Sequence, residues 1–234
     1  MNLHNNFRED IEYLLGLLKD NKSFSFSKFA DGEYKVLRNI KITNCDGWTF
    51  NPDIHHREHQ MLVNSFKYQH DNYIVGISCP CCQPLEHVQW MRDNVGSKNV
   101  TWANIFVNSN YKFFTENFFP IFDKWKGTVI LIGNIKGFDN YLPFRVDRYI
   151  PIDLDSWKEP EISVILKHMK YIASINRGKL FLFSAGFIGN ILAHQLHTVN
   201  PYNTYIDIGS TVNPYITGNN RGYLRGKNNK TCIW

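Results

Sequence analysis

Phe24-Ser25-Phe26-Ser27-Lys28-Phe29 alternates aromatic with small or polar side chains at period two, the pattern of a β-strand. It runs directly into Ala30-Asp31-Gly32-Glu33. Tyr34-Lys35-Val36-Leu37 follows and can begin a helix. A strand that ends in two carboxylates flanking a glycine, and then turns into a helix, is the first half of a βα unit.

The same alternation recurs on both sides of this unit. Before it, residues 5–19 place Phe7, Ile11, Leu14 and Leu18 at helical spacing. After it, apolar strands are expected at 73–78, 100–107, 128–132, 146–152, 179–183 and 204–208. Helices are expected at 84–94, 111–122, 160–175 and 188–197. Near-continuous apolar strands alternating with helices predict an α/β fold, with a largely parallel sheet and helices on both faces. No repeat or low-complexity linker interrupts the 234 residues, so residues 1–234 read as one domain with a basic C-terminal segment, 217–234.

Composition narrows the function classes. With 43% hydrophobic and 20% charged residues the chain can build a core, and disorder is not expected. No apolar run reaches the roughly 18–20 residues of a membrane span. Met1 to Asp10 is polar and does not read as a signal peptide. The net charge of +5 is too modest for a general nucleic-acid binder, although Arg221, Arg225, Lys227 and Lys230 crowd the end of the chain. Five cysteines, an odd number, with no signal peptide argue for free thiols in a reducing, cytoplasmic setting.

In parallel sheets, ligands bind beyond the carboxyl ends of the strands. That rule selects Asp31 and Glu33, Ser78, Asn108 to Asn110, Gly133 and Asn134, Ser184 to Gly186, and Asp207 to Ser210. Asp31 and Glu33 are the sharpest signal. Mg²⁺ or Mn²⁺ takes one or two carboxylates together with substrate phosphates; the bland alternative is a solvated turn in which Asp31 caps a helix. Ser184-Ala185-Gly186 opens a helix and can cradle a phosphate at its N-terminus. Asp207 lies within the last strand pattern and reads as a base, a ribose ligand or a structural acceptor.

Other clusters have plainer readings. His55 and His59 are four apart, and Cys79, Cys81 and Cys82 are crowded together. Neither spacing matches a zinc signature, since no paired C-x-x-C is present. Free thiols and a fold insensitive to zinc chelation are therefore expected. The aromatic run from Tyr111 to Phe122 has helical spacing and reads as core, with sugar stacking open to its most exposed member. No G-x-S-x-G elbow or P-loop supports a hydrolase or an NTPase.

Phe26-Ser27-Lys28-Phe29-Ala30-Asp31-Gly32-Glu33 resembles the Phe-x-Arg-Phe-Gly-Asp-Gly-Glu signature of the GT-D glycosyltransferases, first described as a bacterial domain of unknown function. The likeness continues through Val129-Ile130-Leu131-Ile132-Gly133, Leu180-Phe181-Leu182-Phe183-Ser184-Ala185-Gly186 with Ile191 to Leu196, and Tyr205-Ile206-Asp207-Ile208-Gly209. It spans residues 23–215. The resemblance implies a Rossmann-like domain, a nucleotide-diphosphate sugar donor with a UDP-sugar favoured, and a glycan acceptor. It also implies a divalent cation, Mn²⁺ or Mg²⁺, at Asp31 and Glu33. Donor contacts are then expected from Lys28, Gly32, Asn108, Gly133, Asn134, Ser184, Gly186, Gly209, Ser210 and Arg221, and catalysis from Asp31, Glu33 and Asp207. Three departures stand out. Lys28 replaces an arginine and loses its bidentate fork, Ala30 replaces a glycine, and Phe187-Ile188 replaces Pro-Thr. Two alternatives remain: a methyltransferase that uses the strand-end carboxylates on a ribose, and a sugar-nucleotide binder without turnover. The glycines at 218, 222 and 226 and the basic residues predict that the C-terminal segment folds over the ligand rather than joining the core.

Overall fold

The computed structural model describes residues 6–44, 47–137, 140–153, 155–218, 222–224 and 232. In chain order the elements are α1 (Phe7–Lys19), β1 (Ser25–Lys28), α2 (Asp31–Leu37), β2 (Ile42–Thr43), β3 (Thr49–Phe50), α3 (His56–Lys67), β4 (Tyr73–Ile77), α4 (Leu85–Asn94) and β5 (Asn99–Trp102). The second half holds α5 (Tyr111–Asn117), α6 (Phe119–Asp123), β6 (Val129–Asn134), β7 (Arg148–Ile152), α7 (Glu161–Ser174), β8 (Leu180–Ser184), α8 (Phe187–Val199), β9 (Thr204–Asp207) and α9 (Asn213–Ile216).

Seven strands form one sheet in the order β5-β4-β1-β9-β8-β6-β7. Every pairing in it is parallel. This is the expected α/β, Rossmann-like architecture. Because all seven strands run the same way, the loops after β1, β4, β5, β6, β8 and β9 gather on one edge. The chain first builds outward from β1 to β4 and β5. It then crosses to β6 and returns through β8 and β9 to β1, which brings the loops after β1, β8 and β9 together at the centre.

Burial explains the strand composition. All residues of β4 and β9 are buried, as are Val129–Gly133 of β6 and the first four residues of β8. A strand covered on both faces has no solvent side and so shows no polar alternation. The edge strand β7 is more exposed, and only its last residue, Ile152, is buried. Helix α1 starts where expected: the Asn6 side chain accepts from the N–H groups of Arg8 and Glu9, and Phe7, Ile11, Leu14 and Leu18 are buried.

Three expectations change. The strand predicted over 100–107 stops at Trp102, and residues 103–107 turn across the sheet edge. The aromatic helix over 111–122 is two short helices, α5 and α6. Pro120 sits at the start of α6 and lacks the N–H that a continuous helix would bond back. The small antiparallel pair β2–β3, which pairs Ile42 with Phe50, was not expected from the sequence. Phe114, Phe118, Phe119 and Phe122 are buried against one another and Phe144, so the aromatic run is core. No helix among the described residues is long and apolar enough to cross a membrane.

Candidate active site

A cleft of about 1130 Å³ opens over the carboxyl edge of the sheet. Its lining includes Lys28, Gly32, Asn108, Asn134, Ser184, Gly186, Gly209 and Ser210, eight of the ten residues expected to hold a donor, together with the expected metal pair Asp31 and Glu33. They come from five different strand ends, and the parallel sheet is what brings them together.

At the end of β1 the Ala30 N–H donates to Glu33 Oε2 at 2.9 Å. This bond, the glutamate half of a capping box whose other half alanine cannot supply, fixes the Glu33 carboxylate in the first turn of α2. Asp31 is exposed at the helix start, while Glu33 is half-buried. Burial raises the Glu33 pKa above the usual carboxylate range, and the Lys28 charge and the Ala30 N–H oppose the rise. The two carboxylates are thus held side by side, one in solvent and one partly withdrawn from it.

Lys28 is the positive counterpart. Its side chain lies over the turn after β9: a Cβ added to Gly209 would fall 2.6 Å from Lys28 Cε and 2.7 Å from Nζ. Gly209 also has φ +55°, a conformation that glycine adopts without strain. Beneath this contact, Asp207 Oδ1 accepts from the Gly209 N–H at 2.9 Å. Asp207 is buried at the end of β9 and does not line the cleft. Burial pushes its pKa up to about 7, with the Lys28 charge opposing and the Glu33 charge adding to the rise. The structure therefore places Asp207 behind Lys28, where it orders the turn.

The turn after β8 supplies the third wall. Gly186 has φ +58° and ψ −151°, a backbone region open essentially to glycine alone. No side chain caps the start of α8, and Gly186, Phe187 and Ile188 face the cleft. A 13-residue helix thus points its positive end into the site. Asn190, one turn in, is buried and donates to Lys28 O at 2.6 Å and Ser27 Oγ at 3.1 Å. This bond locks α8 against the end of β1.

Sequence reasoning missed Trp48 and Trp157. Trp48 lies against both glycine turns: a Cβ on Gly32 would be 3.7 Å from its ring, and one on Gly186 would be 3.8 Å from Nε1. Trp48, Trp157 and Phe187 pack edge to face, with centroids 4.6–6.2 Å apart. The Trp157 Nε1–H is buried with no acceptor among the described residues. An Asp-Gly pair at 46–47 is the one local sign that could have drawn attention to Trp48; nothing in the sequence marks Trp157. Lys35, Lys136 and Asn104 also line the cleft and were not anticipated.

Two expected contacts fall elsewhere. Gly133 lies beneath Tyr149, whose hydroxyl would be 2.7 Å from an added Cβ and donates to Asn134 O at 2.6 Å. It is a packing glycine, not part of the lining. Arg221 lies outside the described residues, as does Arg225. His55 Nδ1 accepts from the Asn51 N–H, and the His55 ring packs on Trp157.

Cys79, Cys81 and Cys82 do not stand alone. Cys232 joins them, and its carbonyl accepts from Ser109 Oγ and Asn110 Nδ2, both at 3.0 Å. Cys232 and Leu224 are both buried, so two described residues of the C-terminal segment belong to the packed body rather than to a cover over the ligand.

No protein-family model matches the sequence, and no curated protein matches it. Two solved structures are similar. One is a selenomethionine-substituted structure of domain of unknown function 1792, 16% identical, with a TM-score of 0.58 over 93% of this chain and 82% of that chain. The other is a structure of the same domain, 17% identical, with a TM-score of 0.56 over the same shares. Its report describes that domain as having a distinct glycosyltransferase fold. The chain therefore shares the fold of domain of unknown function 1792.

Proposed function

We propose that this protein is a glycosyltransferase that moves a sugar from a nucleotide-diphosphate sugar, a UDP-sugar favoured, to a glycan hydroxyl. One observation carries the reading: the Asp31/Glu33 pair, Lys28 and the uncapped start of α8 converge on one cleft. Paired carboxylates facing a positive helix end suit a ligand that brings both a diphosphate and a metal.

Asp31 and Glu33 offer hard oxygen donors side by side, which fits Mg²⁺ or Mn²⁺. When bound, such an ion neutralises charge developing on the departing nucleotide diphosphate. The chain's own groups do the rest. Lys28 and the N–H groups opening α8 bind the diphosphate oxygens and hold the donor's leaving group. Glu33 faces the cleft and Asp207 does not, which supports Glu33 over Asp207 as the base that would take the acceptor proton if the reaction inverts. Trp48 presents a ring edge beside both glycine turns, where a base or sugar can pack. A reducing cytoplasm, where nucleotide sugars are made, also suits the free thiols.

The test is release of nucleoside diphosphate from a panel of nucleotide sugars in the presence of Mn²⁺ and mixed glycan acceptors. Turnover that depends on acceptor and is lost in Asp31→Asn supports the reading. Methyl transfer from S-adenosylmethionine, with no turnover of any nucleotide sugar, would overturn it.

A further inference from the structure

We propose that Cys79, Cys81, Cys82 and Cys232 form a structural zinc site that fastens the C-terminal end of the chain to the wall of the cleft. The four sulfurs all lie within 4.8 Å of one another. Individual separations are 3.2 Å for Cys79–Cys81, 3.4 Å for Cys81–Cys232, 3.6 Å for Cys82–Cys232, 3.7 Å for Cys79–Cys232 and 3.8 Å for Cys81–Cys82. Zn–S bonds of about 2.3 Å in a tetrahedron put the sulfurs about 3.8 Å apart, so one ion fits with small adjustments. All four cysteines are free rather than joined as disulfides.

The local spacing of Cys79, Cys81 and Cys82 does not reveal the fourth ligand. Cys232 lies 150 residues beyond Cys82 and reaches the cluster only through the fold. The local chain is shaped for the task. Cys79 O accepts from the N–H groups of both Cys82 and Gln83, and this tight turn directs three sulfurs to one point.

The surroundings suit thiolates. Asn108 Nδ2 donates to Cys232 Sγ at 3.1 Å, and Asn104 Nδ2 lies 3.7 Å from Cys79 Sγ. Asn108 holds φ +57°, which asparagine tolerates better than most residues. Amide donors to sulfur offset the double negative charge left when four thiols lose their protons to solvent and bind one Zn²⁺ as thiolates. Four protein ligands leave no open position, which makes the site structural rather than catalytic. Cys82, Asn104 and Asn108 also line the cleft, so the ion would stiffen one side of it.

The test is elemental analysis of the full chain, expressed with ample zinc and purified without chelator. About one zinc per chain is expected, falling at least tenfold in Cys81→Ser and Cys232→Ser and unchanged in Cys45→Ser. Cys81 is exposed, so its replacement leaves the core intact. Cobalt in place of zinc should give the charge-transfer and ligand-field bands of a tetrahedral thiolate site, and Asn108→Ala should weaken metal binding about 10–100-fold. Iron in place of zinc, disulfides among these cysteines, or four freely alkylated thiols without metal in the folded wild type would each overturn the proposal.

Discussion

Asp31 and Glu33 are two residues apart yet differ in exposure, and Lys28 and Asp207 complete the charges around them. Asp31→Asn and Glu33→Gln keep shape and remove charge; glutamine still offers an oxygen to the Ala30 N–H. Each should lower kcat by a factor equivalent to about 3–4 kcal/mol, with an unchanged circular dichroism spectrum. Near-normal turnover in both would reduce the pair to a capped turn. Asp207 makes a separate prediction. Its pKa rises from the unfolded range to about 7, so the native state holds this proton more tightly than the unfolded chain does. That stability is complete below the unfolded pKa and is lost as pH rises through 7. Asp207→Asn mimics the protonated form and escapes the loss. The stability of the variant relative to wild type should therefore improve by about 2–3 kcal/mol between pH 5 and pH 8, as read by denaturant titration. A difference that is flat across this range would place Asp207 in a more polar setting than the one described.

The elements that build the site are strand ends followed by turns, and the turn before α8 is the most constrained of them. Gly186→Ala would force a side chain into a backbone region reserved for glycine. It should cost about 1–3 kcal/mol of stability and weaken nucleoside diphosphate binding, measured by denaturation and by calorimetry. Loss of stability with unchanged affinity would detach the helix start from ligand binding. Elements with a strong period were legible in sequence: α1, β1, β4, β6, β8 and β9 lie within two residues of their expected places. Their carboxyl ends were legible too, which is why eight of the ten expected donor contacts converge with Asp31 and Glu33. Failures came where local pattern and tertiary context disagree. The aromatic run looked like one helix, but Pro120 divides it. Gly133 looked like a ligand turn because it ends an apolar strand, but the Tyr149 ring occupies the space a side chain would need. Trp157 carries no local signature, since its place in the cleft is set by tertiary packing on Trp48, His55 and Phe187.

At the scale of the whole molecule, the parallel sheet and the end of the chain act together. The sheet delivers carboxylates, lysine and a helix start to one edge, while Cys232 returns from the far end of the sequence to the loops after β4 and β5. Periodicity shows the first of these and is blind to the second, because a single residue leaves no pattern. Truncation after Gly218 removes the buried Leu224 and Cys232. It should cost at least about 1 kcal/mol, lowering Tm by about 2–4 °C. An unchanged Tm with weakened donor binding would restore the view of this segment as a cover over the ligand. The claim on which the rest depends is that the cleft holds a nucleoside diphosphate together with a cation at Asp31 and Glu33. The most direct measurement is the thermal shift of the full chain with UDP, GDP and S-adenosylmethionine, each with and without Mn²⁺, repeated on Asp31→Asn. A ligand that binds the native state raises its stability by mass action. The account predicts that UDP raises Tm more with Mn²⁺ than without, and that this difference disappears in Asp31→Asn. A shift with S-adenosylmethionine and none with either nucleoside diphosphate would contradict it.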